Sequence, residues 1–340
     1  MTAGSADGAG AIGGLASALV ASMGRSLDGR VRCGSPTSGG RRSLRAMGRR
    51  YETVSLLTDY GVADEFVGVV KSVIRDLAPH ATLLDLTHGI RPYDVRAGSL
   101  ALARAIPYVP EGIVVAVVDP GVGTARRAVA VEVADGAGVL VGPDNGLLAP
   151  AVAITGGATR AVELTNLEYQ LEAPGATFAG RDVFAPAAAH LCNGVDLAEL
   201  GPAVDPTLLM PGMVPLPRME SDGIHAEVLW VDRFGNCQLN IGPDELDEGI
   251  AGPRPDTVAV RIGDQQRAAR LATAFAELPS GMLGLVLDSH GMLALALDQR
   301  SAAAELSLAQ GDPVIVAGLD EQETGAALGG VTSPVELRRP

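Results

Sequence analysis

Aromatic residues are scarce in this chain of 340 residues: Phe, Trp and Tyr make up 3% of it, against 47% apolar residues overall. Its interiors must therefore be built from Val, Leu and Ala, and the length suffices for two domains with cores of their own. Cysteine is scarcer still. Cys33, Cys192 and Cys237 are odd in number, far apart and without metal spacing, which argues against a disulfide framework and against a zinc site. His80, His88, His225 and His290 show no metal spacing either, so no metal is expected. A reducing cytoplasm is the expected location. Positive charge is also in deficit. A net charge of -14 repels phosphate backbones and anionic lipid, so neither nucleic acid nor a membrane is expected as a partner. Residues 11–23 are mildly apolar but broken by glycine and serine, too short to span a bilayer and without a basic flank before them.

Residues 1–50 are rich in Gly, Ser, Ala and Arg without a sustained hydrophobic period and read as a disordered leader, with Met47 an equally good start. From Thr53 onward, apolar runs ending in acidic, glycine-rich turns alternate with amphipathic stretches. VSLLT, ATLLDLT and GIVVAVVDP predict buried parallel strands, and residues 66–77, 97–106 and 184–192 predict helices. This pattern makes residues 51–204 an α/β domain with a mostly parallel central sheet. A proline-rich stretch marks 205–221 as a linker. Beyond it, HAEVLWVDRFGNCQLNI, DTVAVRIG, GMLGLVLDS and GMLALAL predict a smaller all-β domain, a barrel or sandwich, over 222–335.

Several turns carry chemistry-bearing residues. LTDYGVADEFVG puts Asp59 at the carboxyl end of the first strand, where α/β sheets bind ligands and where a carboxylate accepts both hydroxyls of a ribose. The plainer reading has Asp59 stabilising the turn and Asp64 capping the helix after it. VVDPGVGTARR lacks both GxGxxG and a P-loop lysine, so no dinucleotide or P-loop site is expected there. Instead Asp119 and Arg126 flank a turn in which Gly121 and Gly123 permit close backbone approach, as an ion pair that serves either structure or a ligand. Asn145 in GPDNGLL either shapes its turn or touches a ligand, and Arg181 and Asp182 read as an ion pair at a helix start. In VDRFGNCQLN, Asp232, Phe234 and Asn236 offer an aromatic face and an amide suited to a purine, and Ser289 follows in DSHGML; turn chemistry explains each equally well.

Taken in order, LTDYGVADEFVG, THGIRPYDVRAG, VVDPGVGTAR, VGPDNGLL, TFAGRDVFAPAAA, VDRFGN and DSHGML resemble the S-adenosyl-L-methionine (SAM) hydroxide adenosyltransferases, relatives of the SAM-dependent fluorinase and chlorinase, over about residues 53–302. The resemblance implies an adenosine-forming SAM hydrolase that needs no cofactor beyond its substrate, assembled as a homotrimer with active sites at subunit interfaces. It also implies residue roles. Asp59 falls where the ribose hydroxyls bind and Tyr93 beside the sugar and sulfonium, while Asp64, Asp232 and Ser289 fall where the methionine head group is held. Phe234 and Asn236 fall on the adenine side, and Phe178 and Gly180 on the wall beside the nucleophile. Asp119 and Arg126 match two members of an Asp-Arg-His set that holds the attacking water or hydroxide. The third member is absent: the family's T-F-H-G-R-D reads T-F-A-G-R-D here, with Ala179 in the histidine's place. A methyl group neither hydrogen-bonds nor relays a proton, so the expectation is an engineered variant or a natural member with weakened turnover. Halide attack on the same carbon, and binding of SAM or adenosine without turnover, are the alternatives.

Overall fold

The computed structural model describes residues 50–250 and 254–319, so the expected leader lies outside the described residues except for Arg50. The chain divides into two compact units, one ending at Val214 and the other beginning at Pro215. No helix among the described residues is long and apolar enough to cross a membrane.

The first unit is an α/β layer. Its strands and helices follow one another as β1 (Thr53–Thr58), α1 (Phe66–Leu77), β2 (Thr82–Thr87), α2 (Val95–Ala105), β3 (Gly112–Val117), β4 (Ala128–Val133), β5 (Gly138–Pro143), α3 (Ala149–Ile154), β6 (Ala158–Glu163), α4 (Ala185–Cys192) and β7 (Ala203–Val204). One sheet, in the order β2-β1-β3-β5-β4-β6-β7, contains all the strands. Parallel pairing joins β2, β1, β3 and β5, whereas β4 runs antiparallel to both β5 and β6. The sheet is thus mostly parallel. β1 and β3 are buried along nearly their whole lengths because helices cover both faces, as their unbroken apolar runs require. On one face Val54 and Leu56 share a core with Val70 and Ile74 of α1 and with Ala185 and Ala188 of α4. On the other, Gly98 lets α2 close down, since a Cβ there would lie 2.9 Å from both Val118 and Leu147.

β2 departs from expectation. It pairs in parallel but is an edge strand whose residues are largely exposed, Leu84 among them. Its Leu-rich run reads as an interior strand because local pattern does not reveal position within a sheet.

The second unit adds β8 (Arg218–Glu220), β9 (Gly223–Val231), β10 (Cys237–Leu239), α5 (Pro243–Gly249), β11 (Thr257–Ile262), β12 (Gln265–Ala272), β13 (Leu283–Leu287), β14 (Leu293–Ala296), α6 (Ala302–Leu306) and β15 (Pro313–Gly318). Strands pair in the order β10-β14-β13-β12-β11-β15-β9, and β9 returns to β10, closing a seven-stranded barrel with β8 appended to β9. Closure removes the free sheet edges. Inside lie Val228, Leu239, Ile241, Val258, Val260, Leu285, Leu295 and Val316. β12 carries Arg267 and Arg270 on exposed positions and only Ala269 fully inward, so its sequence lacks the apolar alternation that announces a strand. The stretch 205–221, expected as a linker, contains a 3₁₀ turn at Pro206–Leu208 and the short strand β8.

Candidate active site

Asp59 follows β1 directly. Its N–H donates to the Val117 carbonyl (3.3 Å), and its carboxylate accepts the Tyr93 N–H (2.9 Å). This bond holds Tyr93 in the left-handed region (φ 69°), unusual for a bulky residue, with its ring exposed. Burial pushes the Asp59 carboxyl above the usual carboxylate range; the Tyr93 N–H opposes that shift, and the charge of Asp119 adds to it. Asp64 is exposed in the turn entering α1 and does not cap the helix, whose capping position is Glu65 without a side-chain bond. The capping reading of Asp64 is therefore wrong: the helix begins at Phe66, one residue later than that role requires.

Behind this loop runs a chain of polar side chains that the motifs did not single out. Thr58 Oγ1 accepts the Tyr60 N–H (3.2 Å) and meets His88 Nδ1 (2.9 Å); His88 Nε2 meets Asp85 Oδ1 (3.0 Å), and Lys71 closes on the other Asp85 oxygen (2.6 Å). Thr58 and His88 are buried, so each bond also satisfies a group withdrawn from water.

Asp119 and Arg126 form a bidentate pair. Arg126 Nε donates to Oδ1 (3.0 Å), Nη2 to Oδ2, and Nη1 to the Arg127 carbonyl (2.7 Å). Both side chains are largely shielded, at 12% exposure for Arg126 and 5% for Asp119, and the guanidinium also stands 5.7 Å from the centre of the Phe184 ring. The adjacent Arg127 turns instead to buried Asp144 (2.9 Å), whose other oxygen accepts the Met210 N–H. Asn145 shapes its turn: it donates to the Val118 carbonyl (2.9 Å), one residue before Asp119, and accepts the Leu147 N–H.

The TFAGRD segment forms the opposite wall. Phe178 packs edge-on against Tyr60 (ring centres 5.8 Å apart) and Phe66 (5.1 Å), and its own ring carries the Arg181 guanidinium at 5.2 Å. Gly180 opens one π-helical turn, Gly180–Phe184, that leads into α4. A Cβ at Gly180 would sit 2.3 Å from the Tyr60 hydroxyl, so any side chain there requires the Tyr60 ring to move. Arg181 pairs with Asp182 (2.6 and 3.1 Å), as expected of an ion pair. Ala179 lines a cleft of about 740 Å³ together with Arg126, Thr124, Gln170 and Asp182. His190 packs edge-on against Tyr169, and burial lowers its pKa.

In the barrel, Asp232 organises the turn between β9 and β10. Its Oδ1 accepts the N–H groups of Phe234 (2.8 Å) and Asn236 (2.9 Å), and its Oδ2 accepts the Asn236 side-chain amide (2.8 Å). Phe234 is left 78% exposed. Ser289 is exposed in the β13–β14 turn, where Asp288 repeats the arrangement by accepting from His290 (2.8 Å) and Met292 (3.0 Å). Gln238 donates its side-chain amide to Asp288 and thereby links the two turns. Elsewhere on the barrel, His225 stands with Glu220 and Asp222, carboxylates already engaged by Arg218 and Arg261.

Gly235 closes the first turn at φ 85°, and a Cβ there would lie 2.0 Å from Ser301 Oγ, which caps α6. Gly235→Ala should cost about 1–3 kcal/mol, as strain and a displaced helix cap combine, read as a lower Tm of the purified protein. An unchanged Tm would mean that the turn relaxes without cost.

The first unit thus gathers Asp59, Tyr93, Asp119, Arg126, Phe178, Ala179 and Gly180 around strand ends, and the barrel gathers Asp232, Phe234, Asn236 and Ser289 on two linked turns. Models of the SAM hydroxide adenosyltransferase N-terminal and C-terminal domains match residues 54–201 and 226–315, and the chain belongs to this family. A relative from Salinispora tropica, named (R)-S-adenosyl-L-methionine hydrolase, is 47% identical over 76% of this chain and 95% of its own. A fluorinase from Actinoplanes sp. is 27% identical over 77% of this chain and 96% of its own. A crystal structure of an uncharacterized conserved protein from Thermotoga maritima, 34% identical, covers 78% of this chain and 99% of its own at a TM-score of 0.71.

Proposed function

We propose that this enzyme hydrolyses SAM to adenosine and L-methionine. Water or hydroxide attacks the 5′-carbon in line with the carbon–sulfur bond, whose electron pair leaves with the methionine sulfur, and the proton released from the attacking water passes to solvent. The sulfonium departs without protonation, so the protein needs neither an acid for the leaving group nor a metal or cofactor. Its task is to hold one water in line and to stabilise charge. The observation that carries this reading is the shielded Asp119–Arg126 pair beside the Ala179 cleft. Asp119 accepts a hydrogen bond from the nucleophile, and Arg126 favours its hydroxide-like form. Asp59 accepts the ribose hydroxyls and Tyr93 flanks the sugar, while Asp64, Asp232 and Ser289 hold the methionine head group and Phe234 and Asn236 the adenine.

We also propose a homotrimer with active sites at subunit interfaces, in which the exposed rings of Phe234 and Tyr93 would be covered. A soluble cytoplasmic enzyme fits this reading. Halide attack is disfavoured because the Asp119 carboxylate would repel the anion. Binding without turnover is the second reading, favoured by Ala179.

The test is single-turnover conversion by the purified chain of both sulfonium diastereomers of SAM, with and without chloride, followed by chromatography. The relative's name makes the R form the first to try. Adenosine and methionine in equal amounts are expected. Appearance of 5′-chloro-5′-deoxyadenosine would replace hydrolysis with halogenation, and tight SAM binding without product would establish the binding-only reading.

A further inference from the structure

Tyr60 belongs to no role that the resemblance assigns, yet its hydroxyl lies against Gly180, one residue from the place of the missing histidine. Its backbone is fixed by the Thr58–His88–Asp85 chain through the Thr58 hydroxyl. Its ring is wedged against Phe66 and Phe178, each at 5.8 Å between ring centres. That packing carries the hydroxyl across to the opposite wall, where it lies directly over Gly180, the residue next to Ala179. Asp59, Asp119 and Arg126 are the charges it feels there. Burial, reinforced by the two carboxylates, pushes the phenol above its ordinary pKa, so it keeps its proton and remains able to donate.

We infer that the Tyr60 hydroxyl holds the attacking water in this chain, taking over the positioning part of what the family's histidine does. The inference rests on the hydrolase reading above. A neutral phenol both donates and accepts a hydrogen bond, so it orients a water whose lone pair faces the 5′-carbon. It is too weak a base to take the proton. As the oxygen–carbon bond forms and the carbon–sulfur pair leaves with methionine, the water's proton therefore passes to Asp119 and on to solvent. Glycine at 180 is then a functional requirement, because any side chain there would displace the hydroxyl.

The test is a cycle of Tyr60→Phe in the wild-type and Ala179→His backgrounds, following SAM hydrolysis by the full chain. Tyr60→Phe preserves the ring packing, so Tm should hold. In the wild-type background kcat should fall by ~10–100-fold with KM within about twofold, as expected for loss of one hydrogen bond to the reacting group. In the Ala179→His background the loss should shrink to about threefold or less, because the imidazole resumes the task. If wild-type turnover is measurable but Tyr60→Phe leaves kcat within twofold, or costs the same in both backgrounds, the Tyr60 assignment is wrong and the hydrolase reading stands. If the wild type releases no adenosine from bound SAM, both fall together.

Discussion

Asp119→Asn should lower kcat for SAM hydrolysis by ~10²–10⁴-fold and also reduce stability by about 3–5 kcal/mol. Both effects come from one geometry. The carboxylate is almost wholly shielded and receives two parallel hydrogen bonds from Arg126. An amide of the same shape keeps one acceptor oxygen but presents N–H to a guanidinium that can only donate, leaving a largely buried cation without its counter-charge. The same substitution removes the acceptor proposed for the nucleophile. Kinetics measured well below the lowered Tm separate the two consequences. A protein that melts earlier yet turns over SAM at the wild-type rate would show that the pair only closes the Gly121–Gly123 turn.

Ala179→His should raise kcat by ~10²–10⁴-fold, the usual contribution of a positioned acid–base group. Nothing in the backbone opposes the change, since Ala179 has right-handed helical torsions (φ -57°, ψ -27°) that any residue adopts. Nor does packing oppose it, because the residue opens onto a cleft of about 740 Å³ shared with Arg126. Asp182 lines the same cleft, but both its oxygens are engaged by Arg181, so it competes weakly for the new imidazole. The decisive measurement is kcat and KM for SAM in both proteins under identical conditions. A variant that folds and binds SAM but turns over no faster would mean that the histidine's place in this chain is catalytically idle.

The candidate site was legible to the extent that its residues lie in short contiguous motifs. Asp119 and Arg126 are seven positions apart around one glycine-rich turn, and their pairing is a local event. Asp232 and Asn236 are likewise closed by one turn. Tyr60 was not legible, although it sits in the same motif as Asp59. Its significance depends on Gly180, which no local pattern brings near it. The Thr58–His88–Asp85 chain is hidden from local pattern for the same reason, since it crosses from β1 to β2. β12 was missed because a strand that turns arginines to solvent has no apolar alternation to read.

By itself the sequence determined the alternation of strand and helix in the first unit, the switch to short strands in the second, the family, and the absence of a histidine at position 179. Each of these depends on residue type and near-neighbour spacing, which a linear chain carries openly. Only the tertiary structure decided that β2 lies exposed at an edge, that β9 returns to β10 to close a barrel, and that the Tyr60 hydroxyl rests on Gly180. Those outcomes depend on which distant segments share a face or an edge, and strand pairing and side-chain packing choose among partners that local pattern leaves equivalent.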